Sequence, residues 1–287
     1  MVVLRRIAHE PVTGARWEIH ELLHSQFRIR LTRTHGITYD EGLMFGPVSW
    51  DGPARPQVEL TLRGHLRNTE GDAVRWIAPG VFAIGSSLES LYARLEPDTE
   101  VLSFDWQRGS LGTRVPVGLP LGSLSRRNLR ALTACAAAFT TEGLGRETST
   151  ELVAQMLAIL RAEGVPLDLV TAADLAEPVA DWEHSVFAGL TRAMTSLDHN
   201  PMSVDLEETF GRSRRAVVDQ VGKVAARFRL NGSDWRTLRN RFRVASALAL
   251  SSHRDARTED VARALGYGSP RALCNALARE SLPSPQS

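Results

Sequence analysis

The chain predicts an α+β protein of more than one domain: a β-barrel or sandwich over 1–120, a helical linker over 121–180, and an all-α unit over 181–287 carrying two helix–turn–helix repeats. Three observations predict it. Short segments alternating at period two, separated by Gly and Pro, fill the first 120 residues. Apolar residues recur at helical spacing from about residue 123. From Asp181 onward the helices shorten, and the order helix, glycine turn, helix occurs twice. At 287 residues the chain is long enough for about two cores.

In the β region, Phe27-Arg-Ile-Arg-Leu-Thr32 and Val58-Glu-Leu-Thr-Leu-Arg63 alternate apolar with polar. Trp76-Ile77 and Val81-Phe-Ala-Ile84 flank Ala78-Pro-Gly80, a turn signal, and Val101-Leu-Ser-Phe-Asp-Trp106 adds a further strand. Four of the six tryptophans (Trp17, Trp50, Trp76 and Trp106) fall here and are expected in the β core rather than around a ligand cavity. In the linker, Leu129, Leu132, Ala136 and Phe139 share one helical face. Thr148 and Glu151 have capping-box spacing ahead of Leu152, Met156 and Ile159, and Gly164 and Pro166 close that helix. Such faces pack on the β domain or pair between two chains, so a homodimer is expected.

The first repeat begins with a leading helix marked by Trp182, Val186 and Leu190, ending before Asn200-Pro201. Ser203 opens a short helix with Leu206 and Phe210, Gly211-Arg212 turns the chain, and Ser213 is placed to cap the next helix. There Val217, Val221, Val224 and Phe228 form one apolar face, leaving Arg214, Arg215, Val218 and Asp219 opposite. After Asn231-Gly-Ser233, a long helix from near Asp234 buries Leu238, Phe242, Ala245 and Leu248. Then Thr258 opens a short helix with Val261, Ala262 and Leu265 inward, and Gly266-Tyr267-Gly268 forms the turn. Ser269-Pro270 caps the last helix, with proline at the first helical position, where its missing N–H costs nothing. Leu273 and Leu277 face inward, leaving Arg271, Cys274 or Asn275, and Arg279 outward.

Charge points the same way. Residues 201–287 hold 15 basic and 9 acidic side chains, a net +6, whereas the first 200 residues sum to −5. Fourteen of those cations are arginine, suited to bidentate contact with phosphate and guanine, so a polyanion partner is expected at this end. The connecting helix, of about eighteen residues, spans roughly 27 Å, near the length that sets two reading helices one DNA turn apart.

The stretch Thr258-Glu-Asp-Val-Ala-Arg-Ala-Leu-Gly-Tyr-Gly-Ser-Pro270, with Leu273, Leu277 and Pro285, resembles the signature of the AraC/XylS family of transcription regulators. Ser213-Arg-Arg215 and Arg241-Phe-Arg-Val-Ala245 resemble that family's first reading helix and connecting helix. The match covers about 181–287, and 1–120 is similar in texture to the family's cupin-like sensor domain. The resemblance implies a sequence-specific regulator of double-stranded DNA, controlled by a small-molecule or protein effector, with RNA polymerase as a partner if it activates. It places base reading on Arg215, Val218 and Asp219 in the first unit and on Pro270, Arg271, Ala272 and Asn275 in the second. Arg212, Ser213, Arg214, Ser269 and Arg279 complete the expected DNA-binding set. The chain departs from the family at Asp219, where arginine is typical, at Leu273 and Leu277, where phenylalanine is usual, and at Leu282, where glycine is usual.

Two other readings stand beside this one: a regulator acting through protein contact, its reading helices degenerate, and a metal-dependent cupin enzyme. For the enzyme, the β region offers His20, His24, His35 and His65, but no His-x-His pair with a following Glu, and surface histidines explain them better. Neither a nucleophile elbow nor a phosphate-cradling glycine loop occurs, so no catalytic activity and no cofactor or metal is expected. The first ten residues carry charge at Arg5 and Arg6 and lack the apolar stretch of a secretory signal, and no segment approaches eighteen apolar residues. Cys135 and Cys274 are expected as buried, reduced thiols in a cytoplasmic protein without membrane association.

Overall fold

The computed structural model describes residues 1–40, 56–70, 73–86, 92–106, 121–140, 146–165, 178–230 and 232–282. Trp50, Pro166, Asn231 and Pro285, named above, lie outside the described residues, as does the side chain of Trp106.

The N-terminal part is a pair of antiparallel sheets. The larger orders its strands β1 (Val2–His9), β2 (Arg16–Leu23), β3 (Phe27–His35), β10 (Glu100–Trp106), β5 (Pro56–Arg63), β8 (Val81–Ser86) and β11 (Leu121–Ser123). The smaller orders β4 (Tyr39–Asp40), β9 (Tyr92–Leu95), β6 (Leu66–Glu70) and β7 (Ala73–Ile77). The turn at Ala78–Gly80 does not make a hairpin: β7 pairs with β6, β8 pairs with β5, and the chain crosses there from one sheet to the other.

Register explains the larger sheet's outer face. Ile29, Phe104, Val58 and Ile84 stand opposite one another across β3, β10, β5 and β8, and Leu31, Leu102, Leu60 and Phe82 form the next row. Cross-strand apolar rows of this kind stabilise a sheet face. Helices α1 (Arg126–Phe139) and α2 (Arg146–Ala162) cover it, burying Leu132, Phe139, Val153, Met156 and Leu160 in the same core. The alternating residues Arg28, Arg30 and Thr32 point the other way and are largely withdrawn from water too, so period two here marks two covered faces. On that face Glu21 is buried among Arg6 (2.7 Å), Arg30 (3.3 Å) and Arg28 (3.4 Å), and Asp105 lies 3.3 Å from Arg28 Nε.

The C-terminal part consists of α3 (Asp181–Thr195), a single 3-10 turn (Leu197–His199), α4 (Ser203–Phe210), α5 (Arg214–Arg227), α6 (Trp235–Ser251), α7 (Thr258–Ala264) and α8 (Pro270–Arg279). It packs onto the sheet: α3 lies along β1, where the Arg5 backbone N–H donates to Thr191 Oγ1 at 3.2 Å. Phe242 of α6 meets Trp17 of β2 at 5.5 Å between ring centroids, and Tyr39 lies tilted against the same tryptophan at 4.5 Å. The Thr38 N–H donates to Ser252 Oγ at 2.8 Å just past the end of α6. One hydrophobic core therefore runs from Leu4 and Trp17 through Phe242 to Leu273.

The α+β architecture agrees with expectation, but several local readings do not. Trp76 is 58% exposed rather than in the core, although Trp17 is buried. His20 and His24 are buried, not on the surface: His20 lies 3.0 Å from Glu18 Oε2 and edge-on to Phe139, and His24 stacks on Phe27. Among the described residues no group of three or more His, Cys, Asp or Glu side chains could hold a metal ion, and no helix is long and apolar enough to cross a membrane. Thr148 and Glu151 do not cap α2, which starts at Arg146 and so contains both. Both cysteines are free thiols; Cys135 is buried, but Cys274 is only partly so, because the outer side of α8 is open.

Candidate nucleic-acid interface

In the first unit α4 ends on Gly211 at φ 59°, a left-handed conformation that glycine adopts without a Cβ penalty. The Arg212 N–H donates to Glu207 O at 3.2 Å, closing the helix end two residues before α5 begins. Val217, Val221, Val224 and Phe228 are buried, with Phe228 edge-on to Phe187 of α3 at 5.1 Å. A Cβ on Gly189 of α3 would stand 2.1 Å from the Phe210 ring, so only glycine lets α3 and α4 approach this closely.

That packing leaves one side of α5 in water. Arg212, Ser213, Arg214, Arg215, Val218 and Asp219 are all exposed, Val218 by 52%. Ser213 occupies the N-cap position by its backbone angles, but its hydroxyl makes no capping bond. Asp219 pairs with Lys223 one turn on, at 2.7 Å.

The second unit repeats the plan. Gly266 sits at φ 67°, the Ser269 hydroxyl accepts from the Ala272 N–H at 3.2 Å, and Pro270 follows at the first helical position. Leu273 and Leu277 are fully buried, so the two leucines fill the space where the resemblance leads one to expect phenylalanine. Ser269, Pro270, Arg271, Asn275 and Arg279 are exposed, and Ala272 and Cys274 half-buried. Arg212, Arg214, Arg215, Arg271 and Arg279 form no ion pair with any described residue. The first unit thus presents Arg212, Arg214 and Arg215, and the second Arg271, at the start of its second helix, where backbone N–H groups and the helix dipole also attract anions, while Arg279 stands at the far end of α8.

Not every arginine of this basic region faces water, and sequence reasoning missed the ones that do not. Arg239 and Arg243 of α6 are buried and bond to the loop preceding α4. Arg227 donates to both carboxylate oxygens of Glu183, at 2.7 and 2.6 Å. Their spacing could have signalled this: Arg239 and Arg243 lie one and five residues beyond Leu238, flanking the apolar stripe of α6. The helix itself runs 17 residues and is capped by Asp234, whose carboxylate accepts from the Thr237 N–H at 2.9 Å.

No family model matches the chain, and no curated protein matches it. Among solved structures it is similar to the AraC-like transcriptional activator CuxR, at 14% identity over 78% of this chain and 80% of that one, with a TM-score of 0.36. It is also similar to ToxT from Vibrio cholerae O395, at 11% identity over 88% and 92% of the two chains, with a TM-score of 0.34. Ylba from E. coli matches 42% of this chain and 44% of its own at 13% identity, with a TM-score of 0.26.

Proposed function

We propose that the chain is a sequence-specific DNA-binding transcription regulator of the AraC/XylS type, acting by binding rather than catalysis. Its functional units are a sensor over 1–120, a helical linker over 121–180 whose apolar faces cover the sheet and whose opposite side pairs two copies, and a DNA reader over 181–287. The observation that carries this reading is the repeated solution at α5 and α8: an apolar face held in the core, a sharp glycine turn, and ion-pair-free arginines exposed at the helix start. Arg212, Ser213 and Arg214, with Ser269 and Arg279, hold phosphates. Arg215, Val218, Asp219, Pro270, Arg271, Ala272 and Asn275 meet base edges.

The β part supplies control. Its larger sheet packs directly on α3 and on the connecting helix α6, so an effector that shifts β1 or β2 is felt at the helix joining the two readers. The test is a binding titration on duplex DNA from the region upstream of the chain's own gene, repeated across a salt series. For about six to ten neutralised phosphates, affinity should fall by roughly three orders of magnitude or more between 50 and 200 mM salt. Absence of binding, or binding indifferent to salt, would remove the DNA reading and leave protein contact in its place.

A further inference from the structure

Resting on the DNA-binding reading above, we propose that Arg243 is a positioning residue: it locks the two reading units in one mutual placement and thereby makes the chain selective for half-site spacing.

The two units are not simply threaded on α6. The turn of the second unit sits on the loop that feeds the first, and a Cβ on Gly266 would stand 2.2 Å from Leu197 O and 2.9 Å from the Asn200 backbone nitrogen. Arg243 closes this junction. Its guanidinium carbon lies 3.8 Å from the Tyr267 ring centroid, directly over the second unit's turn. The same group donates from Nη1 to Asn200 Oδ1 at 3.1 Å, in the first unit's loop. Asn200 itself is held at φ 48°, ending the 3-10 turn. One helical turn earlier, Arg239 Nη1 donates to Pro201 O at 2.7 Å and fastens the same loop to α6.

Arginine suits this place because its plane stacks on an aromatic ring while its edge donates hydrogen bonds, which an ammonium group cannot do together. Arg243 is only 6% exposed, and its two contacts here are to an uncharged ring and an uncharged amide. Placing a cation there costs desolvation that a leucine would avoid. The return is a contact to both units at once, and leucine can bond to neither. Two readers held rigidly engage both half-sites only when the DNA presents them at matching separation and phase.

The experiment uses the full chain on duplexes carrying both half-sites at the natural spacing and with about five extra base pairs, half a helical turn. Wild type should lose about a hundredfold in affinity on the longer duplex, where only one unit can engage. Arg243→Met should reduce that penalty to less than about tenfold while binding single-half-site DNA as wild type does. Tyr267→Phe, which keeps the ring, should preserve the wild-type penalty, and Arg243→Lys should not restore it. If Arg243→Met weakens both duplexes equally and keeps the full penalty, the positioning role is overturned.

A second arm needs no DNA. Spin labels at exposed Ala226 and Ala278, in a Cys274→Ala background, report the distance between the ends of the two reading helices. A narrow distribution in wild type that broadens in Arg243→Met supports the proposal, and equally narrow distributions overturn it. Should wild type bind neither duplex, the DNA reading fails while the labels still decide the positioning role. Asn200→Ala and Tyr267→Ala, which remove the partners instead, replace Arg243→Met if that variant does not unfold cooperatively.

Discussion

Asp219 is the residue where charge and position conflict: it is a carboxylate on the exposed side of a helix otherwise set out to meet a polyanion. Lys223 relieves the conflict from one turn away at 2.7 Å, so the pair contributes no net charge to that face. A carboxylate so held can accept from cytosine N4. Asp219→Ala is therefore expected to relax the preference for one C·G pair by about 1–3 kcal/mol in competition binding. A uniform rise in affinity on all sequences would mean that Asp219 faces phosphate instead. Arg271 is exposed and free of ion pairs at the start of α8, and Arg271→Ala should weaken specific binding by about 1–3 kcal/mol in a gel-shift titration. Unchanged affinity would remove it from the interface. In the sheet, burial pushes the Glu21 carboxyl up, but Arg6, Arg28 and Arg30 outweigh it and hold the pKa at about 2, below its ordinary 4.5. The folded state therefore favours the ionised form. Its stabilisation is complete above about pH 5 and drains away as pH falls toward the native value. Glu21→Gln, leaving three arginines without their shared partner, should cost about 3 kcal/mol at neutral pH. That difference, measured by denaturant unfolding, should shrink between pH 5 and pH 2, and a gap independent of pH would show that the charge is not what matters.

Among the elements, the two reading helices offer an internal contrast. Both begin with serine at the N-cap position, but only Ser269 uses its hydroxyl, accepting from the Ala272 N–H. Ser269→Ala should thus lower stability by about 1 kcal/mol, whereas Ser213→Ala should change it by no more than a few tenths. Thermal unfolding of the two variants side by side checks this, and equal losses would contradict it. Both serines look alike in sequence, because capping depends on hydroxyl orientation and the angle at which the chain enters the helix. The α2 start shows the same limit. Thr148 and Glu151 have the spacing of a capping box, yet the helix had already begun at Arg146. Apolar period was the better guide: Val217, Val221, Val224, Leu273 and Leu277 all lie in the core as their spacing predicts, because a helix face has no other way to hide them.

For the molecule as a whole, the consequence is that sheet and readers are mechanically joined. Trp17 touches Tyr39 from its own half and Phe242 from the other, within one continuous core. Unfolding should therefore be a single transition, with near-ultraviolet and far-ultraviolet signals coinciding. Trp17→Ala, which empties the contact, should cost about 3–5 kcal/mol and destabilise both halves together. Two separated transitions in wild type would show instead that the halves fold independently.

The succession of helices α3 to α8, the inward faces of α5, α7 and α8, the glycine turns at Gly211 and Gly266 and the outward position of Arg214, Arg215 and Arg271 were legible in the amino-acid sequence, since each follows from local spacing and local backbone preference. Only the tertiary structure decided which polar residues would be buried. Arg28, Glu21 and His20 in the sheet, His24 just after β2, and Arg239 and Arg243 along α6 read as surface groups one by one. Glu21 and Arg28 leave water because a neighbouring strand supplies the opposite charge, and Arg239 and Arg243 because a loop some forty residues earlier accepts their hydrogen bonds; pairing of that kind leaves no periodic trace in the chain.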